Sequence, residues 1–458
     1  MKQAFIGESG ENDRLILIFA GWGVDCNLFS DLHFAGYDVM ALWGYADDDF
    51  DESFLSGYSE IYLFAWSFGV YVASSMMDRL ARFPLMLRVA INGTVTPVDD
   101  LTGIPDAIFQ GTLDGLDERN LAKFYRRMCG TQQDYKSFMA KMPHREIDDL
   151  RLELRRIFEM SRGSEVDVSC WDRAVIAADD RIFPPANLSR AWQSLPRVRE
   201  ITGGHLPDFH RIIEQEIIDK ELVAARFAGC TSTYDDEAVV QREMAHTLWD
   251  FARRLIPSSH VDLLEIGSGT GMLTSLYVKE LDDAEITLWD LVPRNLNIRA
   301  TVVAGDGESM ISDVADESLD VILSAATVQW FNNLSRFIGL AASKLRRGGV
   351  MALSTFGPEN MQEITGMTRL PLRYYTLSEL KAMVPDSCDV VIAREEMRHM
   401  EFASPREVMM HLSRTGVNGL RHVSMGYAEM SANYPRDNGM CKLTYQPQYI
   451  VIKRKDNE

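Results

Sequence analysis

No run in this 458-residue chain approaches the roughly 18 apolar residues that a membrane-spanning helix needs. The six cysteines (Cys26, Cys129, Cys170, Cys230, Cys388 and Cys441) form no Cys-x-x-Cys pair, and no histidine cluster stands at metal-ligand spacing. That scatter argues against structural zinc or any other metal, and predicts reduced thiols rather than a disulfide framework. Positive charge is short as well: 47 Lys and Arg stand against 67 Asp and Glu, a net charge of −20. So acidic a surface repels a phosphate backbone or an anionic bilayer, so neither nucleic acid nor membrane is expected as the main partner. The segment Met1-Lys2-Gln3-Ala4-Phe5-Ile6-Gly7-Glu8 lacks the continuous apolar core of a signal peptide, which predicts a cytoplasmic protein. Internal repeats and low-complexity tracts are missing too.

What is present is length and alternation. At roughly 100–200 residues per domain the chain should hold two or three, and 46% apolar residues suit ordinary globular cores. From residue 14 to about 215, short apolar runs at 15–19, 61–64, 87–91 and 174–177 alternate with amphipathic stretches, the pattern of a parallel α/β sheet. Between about 104 and 160 such runs stop and charged helical sequence takes over, suiting a helical cap inserted over the sheet. A second α/β series follows residue 226, with strands expected at 262–266, 285–289, 302–304, 321–324 and 350–354. The junction at 211–227 contains no glycine or proline and reads as a continuous helix or a helix pair. The expected layout is therefore 1–215, a helical linker at 216–226, and 227–458.

Leu63-Phe64-Ala65-Trp66-Ser67-Phe68-Gly69 reads as a strand ending in a nucleophile elbow. The elbow pattern Gly-x-Ser-x-Gly needs small residues two before and two after the serine, because helix and strand approach closely there. Ala65 replaces the first glycine and is also small. Phe19-Ala20-Gly21-Trp22-Gly23 follows the first strong strand, where a second oxyanion amide is needed. An acid follows the run 174–177, Asp180, which its spacing to Pro184 favours over its neighbour Asp179, and Gly203-Gly204-His205 supplies a base. The order Ser, Asp, His is that of an α/β-hydrolase. In that reading Ser67 attacks an ester carbonyl, His205 moves the proton, Asp180 orients the imidazole, and the amides of Trp22 and Phe68 hold the oxyanion. An acyltransferase would use the same residues.

The second signature is Leu264-Glu265-Ile266-Gly267-Ser268-Gly269-Thr270-Gly271. Its spacing differs from the dinucleotide Gly-x-Gly-x-x-Gly and fits the Rossmann-like class I S-adenosylmethionine methyltransferases. There glycine lets the backbone approach the cofactor, which makes Glu265, Gly267, Ser268, Gly269 and Gly271 candidate binding residues. Asp290 ends the next strand, where an acid accepts hydrogen bonds from ribose hydroxyls. In Gly305-Asp306-Gly307, Asp306 would meet the adenine amine, with Gly307 beside it.

Two resemblances sharpen this. Phe19–Gly23, Ala65–Gly69, Ala90-Ile91-Asn92-Gly93-Thr94 and Gly103-Ile104-Pro105 with Ile108-Phe109 resemble the pimeloyl-acyl-carrier-protein methyl ester esterases of biotin synthesis, over about 1–215. Phe227, Thr233-Tyr234-Asp235, Ala238 and Gln241 are similar to the start of malonyl-acyl-carrier-protein O-methyltransferases. So are Val328-Gln329-Trp330-Phe331, Leu345–Gly349, Ser354-Thr355-Phe356-Gly357-Pro358 and Arg414-Thr415-Gly416-Val417-Asn418, over 226–458. The second resemblance implies that Tyr234 and Gln241 lie over the cofactor on a segment that closes the site. Together they imply a bifunctional enzyme, an esterase and a carboxyl methyltransferase, with S-adenosylmethionine as cofactor and acyl carrier protein as partner. The alternatives are a methyltransferase for a small carboxylate fused to a thioesterase or acyltransferase, or to a hydrolase domain that only binds the carrier. An acidic carrier needs a local basic patch on so acidic a chain, and Arg126-Arg127 and Arg155-Arg156 are the densest positive clusters of the first half. Glu153 and Asp148-Asp149 stand by as balancing surface charges.

Overall fold

The computed structural model describes residues 1–7, 10, 12–162, 167–230, 233–256, 260–365, 374–416 and 431–456. Val417 and Asn418 lie outside them. The chain divides into two compact units, Met1–Glu216 and Ile217–Glu458. Among the described residues no helix is long and apolar enough to cross a membrane.

The first unit is built on seven strands: β1 (Lys2–Phe5), β2 (Arg14–Phe19), β3 (Asp38–Trp43), β4 (Glu60–Trp66), β5 (Leu85–Ile91), β6 (Arg173–Ala177) and β7 (Val198–Ile201). They lie in the order β1-β3-β2-β4-β5-β6-β7. Only β1 runs antiparallel to its neighbour; the other pairings are parallel. β2 and β4 are buried at almost every position, which is why their sequences are unbroken apolar runs. The edge strands β1 and β7 are half exposed and carry no such run, so the apolar pattern did not predict them. Helices α1 (Phe68–Ser75) and α2 (Met77–Leu80) follow β4.

Between β5 and β6 stand α3 (Asp106–Asp114), α4 (Glu118–Met128), α5 (Gln132–Met139) and α6 (Ile147–Ser161). Asp117 caps α4, and Thr131 with Asp134 forms a capping box on α5, so these short helices begin where side chains satisfy their first amides. Trp22 Nε1 donates to the Leu150 carbonyl at 2.9 Å and Tyr125 Oη to the Gly23 carbonyl at 2.6 Å, fastening the insertion to the loop after β2. Glu153, expected on a solvated face, is instead fully buried and paired with Arg145 at 2.7 Å. Burial pushes its carboxyl up and the guanidinium opposes the shift. Helices α7 (Pro185–Ala191) and α8 (Phe209–Glu216) complete the unit.

The second unit opens with α9 (Lys220–Gly229), whose N-terminus Asp219 caps. The junction is thus a helix pair broken at 217–219, and the expected linker falls mostly inside α9. Next come α10 (Tyr234–Glu237), α11 (Val239–Ala252), β8 (Val261–Ile266), α12 (Thr274–Tyr277), β9 (Ala284–Asp290), β10 (Thr301–Ala304), α13 (Gly307–Met310), β11 (Leu319–Ala325), α14 (Leu334–Lys344) and β12 (Leu345–Phe356). Five later strands are β13 (Cys388–Glu395), β14 (Arg398–Phe402), β15 (Arg436–Asp437), β16 (Met440–Tyr445) and β17 (Pro447–Arg454). The main sheet has the order β10-β9-β8-β11-β12-β17-β13, with β17 antiparallel to both neighbours, and β14-β16-β15 form a small second sheet. Alternate residues of the central strands feed two cores: Leu263, Leu323 and Ala352 on one face, Leu264, Ile322 and Leu353 on the other. Both faces are covered, and the strand ends after β8, β9 and β11 are left to build a site.

Candidate active sites

In the first unit Ser67 sits between β4 and α1 with φ +58°, a conformation that a non-glycine residue holds only when its surroundings enforce it. The surroundings do so. A side chain on Gly69 would strike the Phe19 carbonyl at 2.3 Å, and one on Gly93 would strike the Ser67 carbonyl at 2.1 Å. The small residue two after the serine is therefore a steric requirement. His205 Nε2 lies 2.9 Å from Ser67 Oγ, and its Nδ1 lies 2.7 Å from Asp180 Oδ2. The other Asp180 oxygen accepts from the amides of Ile182 and Phe183 at 2.7 and 3.0 Å, which fixes the carboxylate. Asp179 is exposed and makes no contact with His205 among those described, so the choice between the two acids falls to Asp180. The His205 carbonyl accepts from Trp66 Nε1 and Asn92 Nδ2, both at 2.9 Å, and its ring stacks on Phe183. Ser67, Asp180 and His205 are all buried.

Ser67 opens onto a cavity of about 300 Å³, walled by Trp22, Phe68, Ile104, Phe109 and Leu154, with Arg127 and Arg181 as its cations. The Trp22 indole N–H is engaged by the Leu150 carbonyl. Phe68 is the first residue of α1, where amides have no intrahelical acceptor.

In the second unit a cleft of about 110 Å³ opens over the ends of β8, β9 and β11. Tyr234, Gly267, Gly269, Asp290, Asp306 and Gly307 line it. Gly267 has φ +75°, and a side chain there would collide with Thr327 at 2.1 Å. Asp290 is held on both oxygens, by the Gly269 amide at 2.8 Å and the Val292 amide at 2.7 Å. Asp306 caps α13 through the Glu308 amide. Tyr234 is half-buried, and desolvation raises its phenol. Thr270 Oγ1 and Trp330 Nε1, both on lining residues, are buried without a hydrogen-bond partner among the described residues.

Four expected cofactor residues are not among those lining the cleft. Glu265 lies beneath the loop, accepting from Thr274 Oγ1 and Tyr277 Oη at 2.6 Å each. Ser268 is buried and its carbonyl accepts the Gly271 amide; Gly271 itself backs onto Leu296. Gln241 is buried on α11. Glu265 thus ties the end of β8 to α12. Burial pushes its carboxyl up from 4.5 to about 7. A raised carboxyl makes the folded state hold a proton that the unfolded state has released. Stability from this group is therefore lost as pH climbs from about 4.5 to about 7, by about 3 kcal/mol, and is level above. Denaturant titrations across that range should show the slope in the native chain and its flattening in Glu265→Gln; equal slopes would exclude the assignment.

Lys220 escaped the sequence reading. It is fully buried at the cleft, 2.8 Å from Glu308 and 3.3 Å from Asp306, with its ammonium over the Phe331 ring. Its charge is desolvated, yet the two carboxylates raise its pKa. The visible signal was a lysine within a helical stretch, which says nothing of partners 86 and 88 residues on. Among the described residues no group of three or more His, Cys, Asp or Glu is placed to hold a metal.

Comparison with known proteins bears on both units. Residues 1–216 match the family described as pimeloyl-ACP methyl esterase BioG, and residues 264–353 match a methyltransferase domain. A malonyl-[acyl-carrier protein] O-methyltransferase of Bacteroides fragilis is 34% identical over 96% of this chain and 93% of its own length. One of the same name from Prosthecochloris aestuarii is 38% identical over 44% of this chain and 80% of its own. The crystal structure of BioG from Haemophilus influenzae is 35% identical, covering 45% of this chain and 94% of that one, with a TM-score of 0.41. The second unit has the Rossmann-like fold of class I methyltransferases. With its relationship running through both units, the chain belongs to the malonyl-[acyl-carrier protein] O-methyltransferase family, in a form that carries a BioG domain ahead of the methyltransferase domain.

Proposed function

We propose that the chain is a bifunctional cytoplasmic enzyme of biotin synthesis. Its second unit methylates the free carboxylate of malonyl-acyl-carrier protein with S-adenosylmethionine. Its first unit, an α/β-hydrolase with a helical cap, hydrolyses the methyl ester of pimeloyl-acyl-carrier protein. The observation that carries the reading is the relationship spanning 96% of the chain, joined to a BioG match over the unit that contains the Ser67–His205–Asp180 relay.

For the esterase, Ser67 Oγ adds to the ester carbonyl as His205 Nε2 takes its proton. The C–O bond to methoxide then breaks, His205 returns the proton, and methanol leaves. Water repeats the sequence on the acyl-serine. Asp180 keeps the Nδ1 proton in place and stabilises the imidazolium. The amides of Phe68 and Trp22 suit the developing oxyanion, each worth about 3–4 kcal/mol in comparable sites.

For the methyltransferase, the cleft fits an adenosyl cofactor. Gly269, with nothing within 4 Å of where a side chain would start, leaves room for close approach, Asp290 presents a fixed carboxylate for ribose hydroxyls, and Asp306 one for the adenine amine. The orphaned Thr270 hydroxyl is a further polar group in want of a partner. S-adenosylmethionine supplies an electrophilic methyl group. The acceptor carboxylate, with a pKa of about 4, is already ionised at neutral pH, so no general base is required. Tyr234 shields the site and the cleft fixes orientation, and that is the catalysis asked of the protein.

Methylation removes a charge that would be costly to bury during chain elongation, and the esterase restores it afterwards. Incubation with pimeloyl-carrier methyl ester should release methanol with no S-adenosylmethionine added. Methyl transfer without methanol release would leave the first unit a carrier-binding module.

The side-chain contacts favour α4 over α6 as the docking face for the carrier. Arg156 is committed to Asp48 and the Ala46 carbonyl, whereas Arg127 lines the Ser67 cavity and Arg126 stacks over Tyr135. Reversing Arg126 and Arg127 to glutamate should raise KM for the carrier-bound ester about tenfold or more and weaken its salt dependence. The same reversal at Arg155 and Arg156 should lower the melting temperature and leave that KM within about twofold. The opposite ranking in steady-state assays would move the docking face to α6.

A further inference from the structure

Lys220 is the first residue of α9, and its side chain is buried in the wall of the cleft beside Asp306. A cation in the first turn stands at the unfavourable end of the helix dipole, so α9 gains nothing from it. Its partners lie elsewhere. Nζ is 2.8 Å from Glu308 Oε2, 3.3 Å from Asp306 Oδ1 and 4.8 Å from the centre of the Phe331 ring. Both oxygens of Glu308 are engaged: Oε2 also accepts the Asn332 amide at 2.8 Å, and Oε1 accepts the Asn333 amide at 2.5 Å. Asp306 Oδ1 accepts the Glu308 amide at 3.1 Å as well as the lysine, while Oδ2 has no partner among the described residues. One ammonium against two carboxylates leaves a single negative charge over, and Oδ2 is where it can be met. The backbone that carries the lysine is fixed too, because the Ile218 amide donates to Asn332 Oδ1 at 2.6 Å and Asp219 caps α9.

We infer that Lys220 is a positioning residue for Asp306: it holds Oδ1, keeps Oδ2 for the ligand, and so makes the cleft select an aminopurine over an oxopurine. The inference rests on the adenosyl reading of the cleft. An exocyclic amine donates to Oδ2 in a charge-assisted hydrogen bond. An oxo group in its place sets one acceptor against another and leaves the carboxylate unpaired, which a desolvated site penalises strongly. Without the ammonium, Asp306 and Glu308 lose the cation they share, and their repulsion turns Asp306 from its place.

Calorimetry on the full chain with S-adenosylhomocysteine and S-inosylhomocysteine reads the choice as a ratio of dissociation constants. The native chain should prefer the amine about thirtyfold or more, and Lys220→Met should reduce that preference to about threefold or less. Asp306→Ala should reach the same low ratio. Adding Lys220→Met to it should change the ratio no further, because the lysine acts through the aspartate. Lys220→Met leaves Glu308 charged and buried, so Lys220→Met with Glu308→Gln is measured beside it. In that double variant the melting temperature should recover while the ratio stays low. Equal weakening of both ligands, with the preference kept, would mean that the lysine only holds the fold together. A further fall in the Asp306→Ala background would mean that it meets the base itself. Either result overturns the inference, as does a native ratio near one, which would remove Asp306 from the base. A native chain that binds neither nucleoside would instead overturn the adenosyl reading beneath it.

Discussion

Ser67→Ala is expected to lower hydrolysis of the pimeloyl-carrier methyl ester by roughly 10⁴-fold or more, while methyl transfer continues at its native rate. The size follows from what the serine does. In the proposed mechanism its Oγ is the nucleophile, and it lies 2.9 Å from His205 Nε2, the ring nitrogen that Asp180 does not engage. No other hydroxyl is described as bonded to that ring. Because the backbone at Ser67 is held at φ +58° by its close neighbours, alanine should keep the elbow's shape and the protein should stay folded. Asp180→Asn should cost about as much, since an amide cannot hold the Nδ1 proton and the imidazole then presents the wrong nitrogen. Methanol release measures both. Full activity in the Ser67 variant would remove the assignment outright.

For the cofactor, Asp290→Ala should weaken binding of S-adenosylhomocysteine by about ten- to a hundredfold, the loss of charge-assisted hydrogen bonds worth about 1.5–3 kcal/mol. A second loss adds to the first. Asp290 also accepts the Gly269 amide, so the glycine loop loses an anchor at the point where it should meet the ligand. Asp290→Asn keeps the shape and one acceptor oxygen and should fall between the two. Calorimetry gives the affinities directly. An unchanged dissociation constant in the alanine variant would mean that Asp290 is not the ribose ligand. Tight nicotinamide-dinucleotide binding would overturn the reading of the whole unit.

Much of each site could be read in advance because it is encoded by close spacing. An elbow forces small residues around Ser67, and the turn after β8 holds Gly267 and Gly269 at positive φ, with Thr327 packed against Gly267. What could not be read depends on contacts far away in sequence. Glu265 lies next to the loop, yet its partners are Thr274 and Tyr277 on α12, and it is not among the residues lining the cleft. Lys220 meets carboxylates on a distant turn. Arg156 looked like part of a free basic cluster until Asp48 was found beside it. Spacing to Pro184 favours Asp180 over Asp179, and it is Asp180 that meets two backbone amides and the histidine. In the fold, most of the buried central strands were legible as apolar runs, whereas β3 and β17, equally buried, were missed. The half-exposed edges β1, β7 and β13 were not legible, because a strand with one wet face loses that run.

The central claim, that one chain both sets and removes a methyl ester on carrier-bound acids, is tested most directly by intact-mass spectrometry of the carrier. Malonyl-acyl-carrier protein incubated with the chain and S-adenosylmethionine should gain the mass of one methylene. Pimeloyl-acyl-carrier protein methyl ester, incubated with the same chain, should lose that mass. Unchanged masses on both carriers, with free malonate methylated instead, would contradict it.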